Sequence, residues 1–566
     1  MAGSVPRAGG IRGLRRISLF LAAIGLGSAV VAALPAQSHG AVSQTAGTSQ
    51  RQLPDDYLPS GSWASWQHDL TGSRYAAGET TITPGNVGQL TAKWAFTFPR
   101  VPGVYPGSQP AVVGNTLYVG STDAKFYALN ATTGATRWAF DLTTVAGPAT
   151  ASDPNPVRDG PAVADGIVYF GDSRGYLYAV DASTGQLRWA TRLEPTDPYV
   201  QLTGSPIVYA GKVFIGLSDT QDDLQVTNLN YPCCTARGDI VAVNAYTGAI
   251  VWRHYTVPVP QPTGTWPSGA TEYSPSGVSV WDSPVIDPQL GTLFIGTGQN
   301  YTGASSEADS VLALNVNSGQ VRWSYQAQPD TYTEACNDPQ DAAYCLGAAN
   351  GTDHDWDFGA SPNLFQLGGT TVLGIGEKSG IYRAFNAVTG QLLWSDTLNA
   401  DASTSGGNGG IQWGSSYDGH SLYVATWYGN PGTLYALDPA TGAIRWQTPS
   451  PANGCSTGGA VGQQGCALAF TPAVTSSPGL VFEGSADGKM YAFSSATGAL
   501  LWSYDTVRQY QGANGQPGYG ESLSGLGGAV VANGMVYVQS GYYPLAASTD
   551  GTVLIAFGLP GVSPPA

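Results

Sequence analysis

The sequence is poor in charge and especially poor in lysine. Only 11% of its 566 residues are charged, and five are lysine. Acidic residues outnumber basic ones by 39 to 23, and the net charge of −16 excludes a surface that follows nucleic-acid phosphates, which must be positive. Glycine, tyrosine and tryptophan are plentiful instead, with 76, 30 and 15 residues. This composition excludes disorder and a coiled coil, and it is typical of an all-β fold with many tight turns.

Long apolar runs are also lacking, except at the N-terminus. There, four arginines precede an apolar stretch at residues 17–34, and small residues follow it. This order predicts a signal peptide over residues 1–40 and a flexible segment over residues 41–62. General secretion is favoured slightly over twin-arginine export, and an uncleaved anchor is the alternative. We therefore expect a secreted or periplasmic protein, whose formal charge becomes −20 once the leader arginines are removed. No later apolar stretch is long enough to span a bilayer.

Cysteine is scarce, but its six residues fall into three close couples. These are Cys233 and Cys234, Cys336 and Cys345, and Cys455 and Cys466. An exported chain can form disulfides, and closeness in sequence favours these three pairs among the 15 possible connectivities. The sequence contains no Cys-x-x-Cys-His motif, which excludes a covalent c-type haem, and no cysteine–histidine cluster has the spacing of a zinc site.

One phrase recurs seven times along the chain. Residues 127–138 read Tyr-Ala-Leu-Asn-Ala-Thr-Thr-Gly-Ala-Thr-Arg-Trp, and every copy has a glycine four residues before its final tryptophan. The pattern predicts a β-hairpin whose glycine takes a positive φ, with an indole that docks on the neighbouring unit. The copies end at Trp138, Trp189, Trp252, Trp323, Trp394, Trp446 and Trp502.

The two ends of the chain each hold half of an eighth copy. Trp94 has no hairpin before it, whereas residues 550–557 begin the phrase and are not followed by its tryptophan. If the halves combine, an N-terminal strand completes the last sheet and the ring closes without free edges. The sequence thus predicts an all-β, eight-bladed β-propeller over residues 63–558, followed by a tail at residues 559–566.

The spacing of the tryptophans indicates where function resides. A minimal four-stranded blade needs about 40–45 residues, but the intervals reach 71 residues in the middle of the chain. Extra loop length on a rigid scaffold commonly carries binding and catalysis. We therefore expect the functional residues mainly between Trp189 and Trp394.

The repeated phrase resembles the propellers of pyrroloquinoline-quinone (PQQ) dehydrogenases. Four further motifs look like those of polyvinyl-alcohol dehydrogenases without a fused haem domain: Pro232-Cys-Cys-Thr-Ala-Arg-Gly238, Val280-Trp-Asp-Ser-Pro-Val-Ile-Asp287, Ile295-Gly-Thr-Gly-Gln-Asn-Tyr301 and Gly410-Ile-Gln-Trp-Gly414. The resemblance covers roughly residues 63–557. It implies hydride transfer from an alcohol, such as polyvinyl alcohol or another secondary alcohol, to bound PQQ.

The resemblance also implies roles for individual residues. Asp357 matches the catalytic base, with Asp355 as its local competitor. Lys378 matches the basic residue that contacts the quinone oxygens, and Trp281 matches the indole that stacks against the flat cofactor. Because a large number of tryptophans and loop carboxylates serve only packing or turns, the alternative is a structural role for each.

Further cofactor ligands follow from the same resemblance. Thr203 and Ser218 match hydroxyl donors, Arg158 can pair with a cofactor carboxylate, and Trp413 lies in a cofactor-binding motif. The adjacent pair Cys233 and Cys234 is interpreted as a disulfide that caps the cofactor. In the related alcohol dehydrogenases such a pair stands one blade earlier, at a point where this sequence reads Arg158-Asp-Gly160 without cysteine. Two unpaired thiols are the alternative.

A calcium site is implied as well, but its ligand set is incomplete. Asp357 and an amide from either Gln299 or Asn300 match the family's ligands, and the sequence leaves that register open. The family's additional acidic ligand has no clear match. The nearest acids are Asp219, Asp222 and Asp223, which lie in an insertion.

Two classes of function remain open at this stage. The favoured one is an alcohol-oxidising quinoprotein that passes electrons to a separate acceptor such as a cytochrome c, whose basic surface would suit the acidic chain. The other is a non-catalytic propeller that serves as a surface or envelope-assembly scaffold. Sugar oxidation is a third option, within the enzyme class.

Overall fold

Short antiparallel strands make up most of the structure, a computed structural model. It describes residues 58–349, 351–399, 410–427, 431–451, 468–523, 525–541 and 551–561. The predicted leader at residues 1–40 and the cysteine couple Cys455 and Cys466 lie outside these ranges. Within them, eight sheets follow one another around a ring, and neighbouring strands in each sheet pair antiparallel. The predicted eight-bladed propeller is thus confirmed.

The first strand among the described residues, β1 (Thr91–Thr97), belongs to the last blade. Blade 1 contains β2 (Ala111–Val113), β3 (Thr116–Gly120), β4 (Lys125–Asn130) and β5 (Thr136–Asp141). Blade 2 contains β6 (Ala162–Ala164), β7 (Ile167–Gly171), β8 (Tyr176–Asp181) and β9 (Leu187–Arg192). Blade 3 contains β10 (Val200–Gln201), β11 (Ile207–Tyr209), β12 (Lys212–Asp219), β13 (Asp239–Asn244) and β14 (Ile250–Tyr255). The chain then forms a hairpin, β15 (Gln261–Thr265) and β16 (Thr271–Ser274), and a short strand, β17 (Ser276–Gly277).

Blade 4 contains β18 (Val285–Asp287), β19 (Thr292–Gly296), β21 (Ser310–Asn315) and β22 (Val321–Gln326), while β20 (Asn300–Thr302) pairs with β17. Blade 5 contains β23 (Asn363–Leu367), β24 (Thr370–Gly376), β25 (Ile381–Asn386) and β26 (Leu392–Thr397). Blade 6 contains β27 (Ser416–Tyr417), β28 (Leu422–Ala425), β29 (Thr433–Leu437) and β30 (Ile444–Pro449). Blade 7 contains β31 (Thr475–Ser477), β32 (Leu480–Gly484), β33 (Lys489–Ser494) and β34 (Leu500–Asp505). A hairpin, β35 (Gln509–Gln511) and β36 (Pro517–Tyr519), precedes blade 8, which contains β37 (Val530–Ala532), β38 (Met535–Ser540), β39 (Val553–Gly558) and β1.

Helices in the described ranges are few and short. The α-helices are α1 (Thr143–Ala146) and α2 (Gln221–Thr227), and the 3₁₀ helices are Val87–Gln89, Glu334–Asn337, Ala342–Tyr344 and Leu346–Ala349. Among the described residues, no helix combines the length and the apolar character that crossing a membrane would require. Cys336 and Cys345 are joined by a disulfide, as predicted from their closeness, and they staple the 3₁₀ segment between Trp323 and Trp394.

The ring closes as the split phrase predicts. β1 pairs antiparallel with β39, with Trp94 opposite Ala556 and Ala95 opposite Ile555. The last blade therefore takes its outermost strand from the beginning of the propeller and its three other strands from the end. This exchange removes the free edge that an open array of blades would expose.

The repeated tryptophans join each blade to the next. Gly134, the turn glycine of blade 1, has φ +73, and a Cβ there would lie 2.6 Å from the Trp94 ring. The other six turn glycines of the phrase also have a positive φ and lie against the tryptophan of the preceding blade. Each of the eight indole nitrogens also donates to a carbonyl oxygen of the following blade, from Trp94 to Ala131 at 3.1 Å through to Trp502 and Leu90 at 3.1 Å. Glycine is thus required in the turn both for its backbone conformation and for the indole above it.

Candidate active site

Five of the predicted site residues lie in segments that lead into the innermost strands of their blades. Hydrogen bonds tie these segments into an arc: Gly160 N to Ser205 Oγ at 2.7 Å, Ser205 N to Ser283 Oγ at 2.9 Å, and Ser283 N to Ser361 Oγ at 2.9 Å. We call these four residues, with Gly414, the inner ring; Ser361 and Gly414 form a β-bridge.

Three predicted residues stand two positions before members of the inner ring. These are Arg158, Thr203 and Trp281, and Trp413 directly precedes Gly414. Because the inner-ring residues adjoin one another, these side chains come from corresponding positions of neighbouring blades. The structure thus places residues that are far apart in sequence around one end of the central channel.

Asp357 lies at the centre of the constellation. Its side chain is buried, with 3% of the residue exposed. Oδ2 accepts hydrogen bonds from Lys378 Nζ at 2.9 Å and from Trp281 Nε1 at 3.1 Å, and Oδ1 accepts one from the Gln299 backbone N–H at 2.9 Å. The Lys378 backbone N–H also donates to the Asp357 carbonyl oxygen at 3.0 Å, which holds the two chain segments together.

Lys378 bridges two carboxylates. Its ammonium lies 2.7 Å from Asp355 Oδ1 as well as 2.9 Å from Asp357, and 5.1 Å from the centre of the Trp281 ring. Burial lowers the pKa of Lys378, but the two carboxylates outweigh burial and raise it above its ordinary value. Burial raises the pKa of Asp355 to about 6, although Lys378 opposes this shift. The lysine is therefore charged at neutral pH and held between its two partners.

Trp281 presents a supported aromatic surface. A Cβ on Gly359 would lie 1.8 Å from Cη2 of the indole, so only glycine leaves room for the ring there. Trp413 contacts Trp281 edge to face, with ring centres 5.1 Å apart and an interplanar angle of 76°. Because its edge and one side are packed and the residue remains only partly buried, Trp281 can offer a face to a flat ligand.

The predicted hydroxyl donors contact each other on the next blade. Thr203 Oγ1 lies 2.9 Å from Ser218 Oγ, and Ser218 Oγ lies 3.1 Å from the Gln201 carbonyl oxygen. Arg158 is half-buried, and its charge acts to lower the pKa of Asp223, which desolvation and Glu334 raise to about 6. Arg158 is thus near the acids of α2.

The pair Cys233 and Cys234 is joined by a disulfide, as the sequence predicts, and both residues are fully buried. They belong to an apolar cluster with Trp266, Tyr301 and Tyr344, in which Trp266 Nε1 donates to the Cys233 carbonyl oxygen at 2.8 Å. We call this the insertion cluster, because α2, the β15–β16 hairpin and the stapled 3₁₀ segment all contribute to it. The role of the disulfide as a cofactor cap stays a prediction.

The two amide candidates for the metal point to different partners. Gln299 places its side-chain amide against both oxygens of Asp357, whereas Asn300 Nδ2 donates to the Asp330 carbonyl oxygen at 2.8 Å. If the side-chain nitrogen of Gln299 faces Asp357, it donates a hydrogen bond to the carboxylate. If the side-chain oxygen faces Asp357 instead, an amide oxygen and a carboxylate oxygen lie side by side, which is the kind of ligand pair that a hard cation binds. The buried Asn300 Oδ1 has no hydrogen-bond partner. Gln299 is therefore the candidate whose amide oxygen could join the Asp357 carboxylate as a ligand pair of the kind that calcium binds.

The acidic ligands left open by the sequence do not complete this site. In the part of the chain that the structure describes, no three His, Cys, Asp or Glu side chains converge in a metal-binding arrangement. Asp219 instead accepts a hydrogen bond from the Gln221 backbone N–H, and its own carbonyl oxygen accepts one from the Tyr301 hydroxyl at 3.1 Å. A cation held by Asp357 and Gln299 would thus keep several positions for water or cofactor oxygens, since calcium takes six to eight oxygen ligands.

A second group of buried carboxylates lies behind the catalytic segments and was not predicted. Glu377, next to Lys378, accepts hydrogen bonds from Ser379 and Arg383, and it lines a cavity of about 280 Å³ with Trp356. Burial and the charge of Glu377 raise the pKa of Asp309 well above its usual range. No sequence signal marks this group, because Glu377 and Lys378 lie in the turn after β24, where the alternation of a strand does not set side-chain directions.

The chain matches known proteins over most of its length. Residues 63–328 match the family described as glucose/ethanol/alcohol dehydrogenase, β-propeller domain, and residues 377–524 and 454–557 match the one described as outer membrane protein assembly factor BamB. A polyvinylalcohol dehydrogenase from Pseudomonas sp. is 33% identical over 530 residues, which cover 90% of this chain and 78% of that one. A second, from Sphingopyxis sp., is 31% identical over 543 residues, covering 91% and 79%.

Solved structures agree on the fold. The quinohemoprotein alcohol dehydrogenase from Comamonas testosteroni superposes with a TM-score of 0.65 at 20% identity, covering 91% of this chain and 84% of that one. The fold and these matches define the class: the chain belongs to the PQQ-dependent dehydrogenase family. Within that family, its similarity extends over nearly the whole length to the polyvinylalcohol dehydrogenases. The predicted family and its enzyme class, oxidoreductases that act on alcohols, are confirmed.

Proposed function

We propose that the protein is a secreted quinoprotein that oxidises secondary alcohols, including polyvinyl alcohol, and passes the electrons to a separate acceptor. The observation that carries the proposal is the convergence of Asp357, Lys378 and Trp281 at one end of the channel. A scaffold has no need for a buried lysine shared by two carboxylates beside a supported indole face. The match of blades 5 to 8 to an assembly factor is explained by the common blade repeat.

The residues fit PQQ and a calcium ion. Trp281 would stack against the flat ring system, Arg158 would pair with a carboxylate, and Thr203 with Ser218 would donate hydrogen bonds. Asp357 and Gln299 would hold the calcium ion. When bound, the quinone supplies a carbon that accepts hydride, and the cation polarises the neighbouring carbonyl group.

In this scheme, Asp357 removes the hydroxyl proton of the substrate. Its three hydrogen-bond donors fix the orientation of the carboxylate, so that one oxygen atom can face a bound alcohol. Lys378 supplies positive charge where negative charge develops, and Asp355 keeps the ammonium in place from its other side. Trp281 Nε1–H restrains Asp357 Oδ2, which couples the stacking surface to the base.

The substrate and acceptor are proposed from the similar proteins and from the residues. Polyvinyl alcohol is suggested by the two dehydrogenases that match along most of the chain. The proposed acceptor is a separate protein, and the sequence contains no c-type haem motif of its own. A cytochrome c with a basic surface would complement the negative charge of this protein. Because the leader is predicted to be a signal peptide, we propose that electron transfer between the two proteins takes place outside the cytoplasm.

Reconstitution tests the proposal. Purified protein is mixed with PQQ and Ca²⁺ and assayed with a dye acceptor against polyvinyl alcohol, simple secondary alcohols and glucose. We expect alcohol-dependent dye reduction that requires both additions, with polyvinyl alcohol among the substrates. Oxidation of glucose alone would support the sugar alternative, and failure to bind micromolar PQQ would refute the enzyme proposal in favour of a scaffold.

A further inference from the structure

The chain segment before the first blade crosses the central channel. Residues 63–76, which we call the N-terminal hub, are hydrogen-bonded to the innermost strands of six blades. Backbone distances are 2.7 to 3.0 Å, and the partners are Val112, Val163, Ile286, Leu364, Tyr417 and Ser476. Each partner is the second residue of its strand. The hub therefore contacts blades 1, 2, 4, 5, 6 and 7 at one common level and covers edges that would otherwise be unpaired.

The hub and the candidate site lie on opposite sides of the inner ring. In blade 4, Trp281 stands five residues before Ile286, the residue of that blade that contacts the hub. In blade 2, Arg158 stands five residues before the hub contact Val163. An extended chain rises about 3.3 Å per residue, so the two levels are at most roughly 17 Å apart along the channel axis. The inner ring, which includes Gly160 and Ser283, lies between the two levels.

One hub side chain fills the opening within the inner ring. Trp66 is 4% exposed, and its Nε1–H donates to the Leu526 carbonyl oxygen of blade 8 at 3.0 Å. Its indole lies under Gly160 and Gly414, where an added Cβ would stand 2.9 Å and 3.1 Å from ring atoms. The same indole thus reaches blades 2, 6 and 8, which lie on different sides of the channel.

A buried arginine secures this indole from below. Arg74 is fully buried, and its guanidinium lies 4.4 Å from the centre of the Trp66 ring. It donates to Val474 O and Gln109 Oε1, both at 2.9 Å, while Gln109 Nε2 donates to Trp66 O at 3.0 Å. Gln67 Nε2 reaches the carbonyl oxygens of blades 4 and 5 at 3.3 and 3.2 Å. Polar contacts to opposite blades therefore fix the position of Trp66.

We propose that the N-terminal hub is a plug that closes the channel beneath the cofactor site, and that Trp66 is a positioning residue for that site. The indole contacts the segment of Arg158 at Gly160 and the segment of Trp413 at Gly414, and so sets their spacing. The hydrogen bonds from Gly160 to Ser205 and from Ser205 to Ser283 carry this spacing on to the segments of Thr203 and Trp281. The indole also prevents water and small molecules from reaching the site along the channel axis. The part of this inference that concerns the cofactor rests on the proposed function.

The experiment compares Trp66→Ala and Trp66→Phe with a matched control, Trp323→Ala. Trp323 is a docking tryptophan on the outer part of a blade, so its loss removes the same side chain without touching the channel. Two quantities are measured beside the melting temperature: hydrogen exchange at the amides of Gly160, Ser205 and Ser283 without PQQ, and the Kd for PQQ from quenching of tryptophan fluorescence.

We expect Trp66→Ala to accelerate exchange at the three amides and to raise the Kd for PQQ, each by about tenfold or more, which is about 1.4 kcal/mol. Trp66→Phe keeps an aromatic side chain in the plug, so the exchange rates and the Kd for PQQ should both stay close to those of the original protein. Trp323→Ala should lower the melting temperature at least as much as Trp66→Ala, yet leave both quantities near their original values.

Three results would overturn the inference. The first is unchanged exchange and unchanged Kd in Trp66→Ala; the second is an equal effect of Trp323→Ala, which would reduce Trp66 to general stability; the third is no rescue by phenylalanine. If Trp66→Ala does not fold, Trp66→Leu replaces it under the same criteria. Failure of the original protein to bind PQQ refutes the proposed function alone, because the exchange measurements still test the plug.

Discussion

Replacing Asp357 by asparagine removes the carboxylate that acts as the base but keeps most of the contacts around it. The asparagine keeps the size of the side chain and an oxygen that can accept from Trp281 Nε1, now 3.1 Å away, and Lys378 keeps Asp355 as a partner at 2.7 Å. The loss of one charge-assisted hydrogen bond costs about 1.5–3 kcal/mol, so the variant should fold. Loss of the base should lower turnover by about 10²- to 10⁴-fold, since general bases contribute that much. This loss of turnover corresponds to an increase of about 3–5 kcal/mol in the activation free energy.

The assay uses protein loaded with PQQ and Ca²⁺, a dye acceptor and a secondary alcohol, together with PQQ binding by fluorescence. The matched variant is Asp355→Asn, which removes the other carboxylate of Lys378. We expect Asp357→Asn to bind PQQ within a few-fold of the original protein but to lose most of its turnover, and Asp355→Asn to lose much less. Equal turnover in Asp357→Asn and the original protein would refute the assignment, and a larger loss in Asp355→Asn would transfer the role of base to that residue.

Three further predictions concern binding, stapling and pH. Trp281→Ala should abolish detectable PQQ binding at micromolar concentrations while Trp94→Ala retains it, measured by fluorescence titration with a ligand-independent check of folding by circular dichroism. Replacing Cys336 and Cys345 by serine opens a loop of about ten residues and should lower the free energy of unfolding by about 2–3 kcal/mol in urea titrations. When both proteins are titrated in the presence of a reductant, which also opens Cys233–Cys234, the difference between them should disappear. Burial raises the pKa of Asp239 to about 7 from 3.8, against the attraction of Arg253 at 2.9 Å, so the folded protein holds a proton that the unfolded chain has already lost. Stability should thus fall as pH rises from 5 to 7, and Asp239→Asn should flatten that fall in urea titrations; an equally steep fall in the variant would contradict the explanation.

The repeat made the fold predictable. A glycine four residues before a tryptophan specifies a turn and a docking contact in one short phrase, and the split copy at the two ends specifies closure. These are local signals, because each phrase encodes its own hairpin and meets only the next blade. The β1–β39 pairing is distant in sequence, yet it was predictable because both halves of the phrase were visible.

The site was predictable only through family resemblance. Nothing in the local sequence around Lys378 indicates that its ammonium lies between Asp355 and Asp357, since that contact depends on how two irregular segments enter the same blade. The register between Gln299 and Asn300 was likewise open, because both amides suit a cation and only their side-chain directions differ.

The N-terminal hub was missed for a related reason. The predicted propeller begins at residue 63, but nothing in the sequence assigns a role to residues 63–76. The contacts of the hub reach partners as distant as Ser476, and no periodicity marks them. Arg74 gave no signal either, because a buried arginine is recognisable only once its acceptors are assembled around it.

The exchange of β1 into the last blade makes the fold depend on the whole length of the chain. The closing strand and its partner are more than 450 residues apart in sequence. A polypeptide emerging from a ribosome or an export channel can build its early blades one after another, but it cannot seal the ring until almost its last segment is available. Strand β1 must remain unpaired during that time, with exposed hydrogen-bonding groups along both edges. We therefore expect truncations at the C-terminal end to leave an open, association-prone array, whereas cuts in the loops between middle blades leave the closure intact.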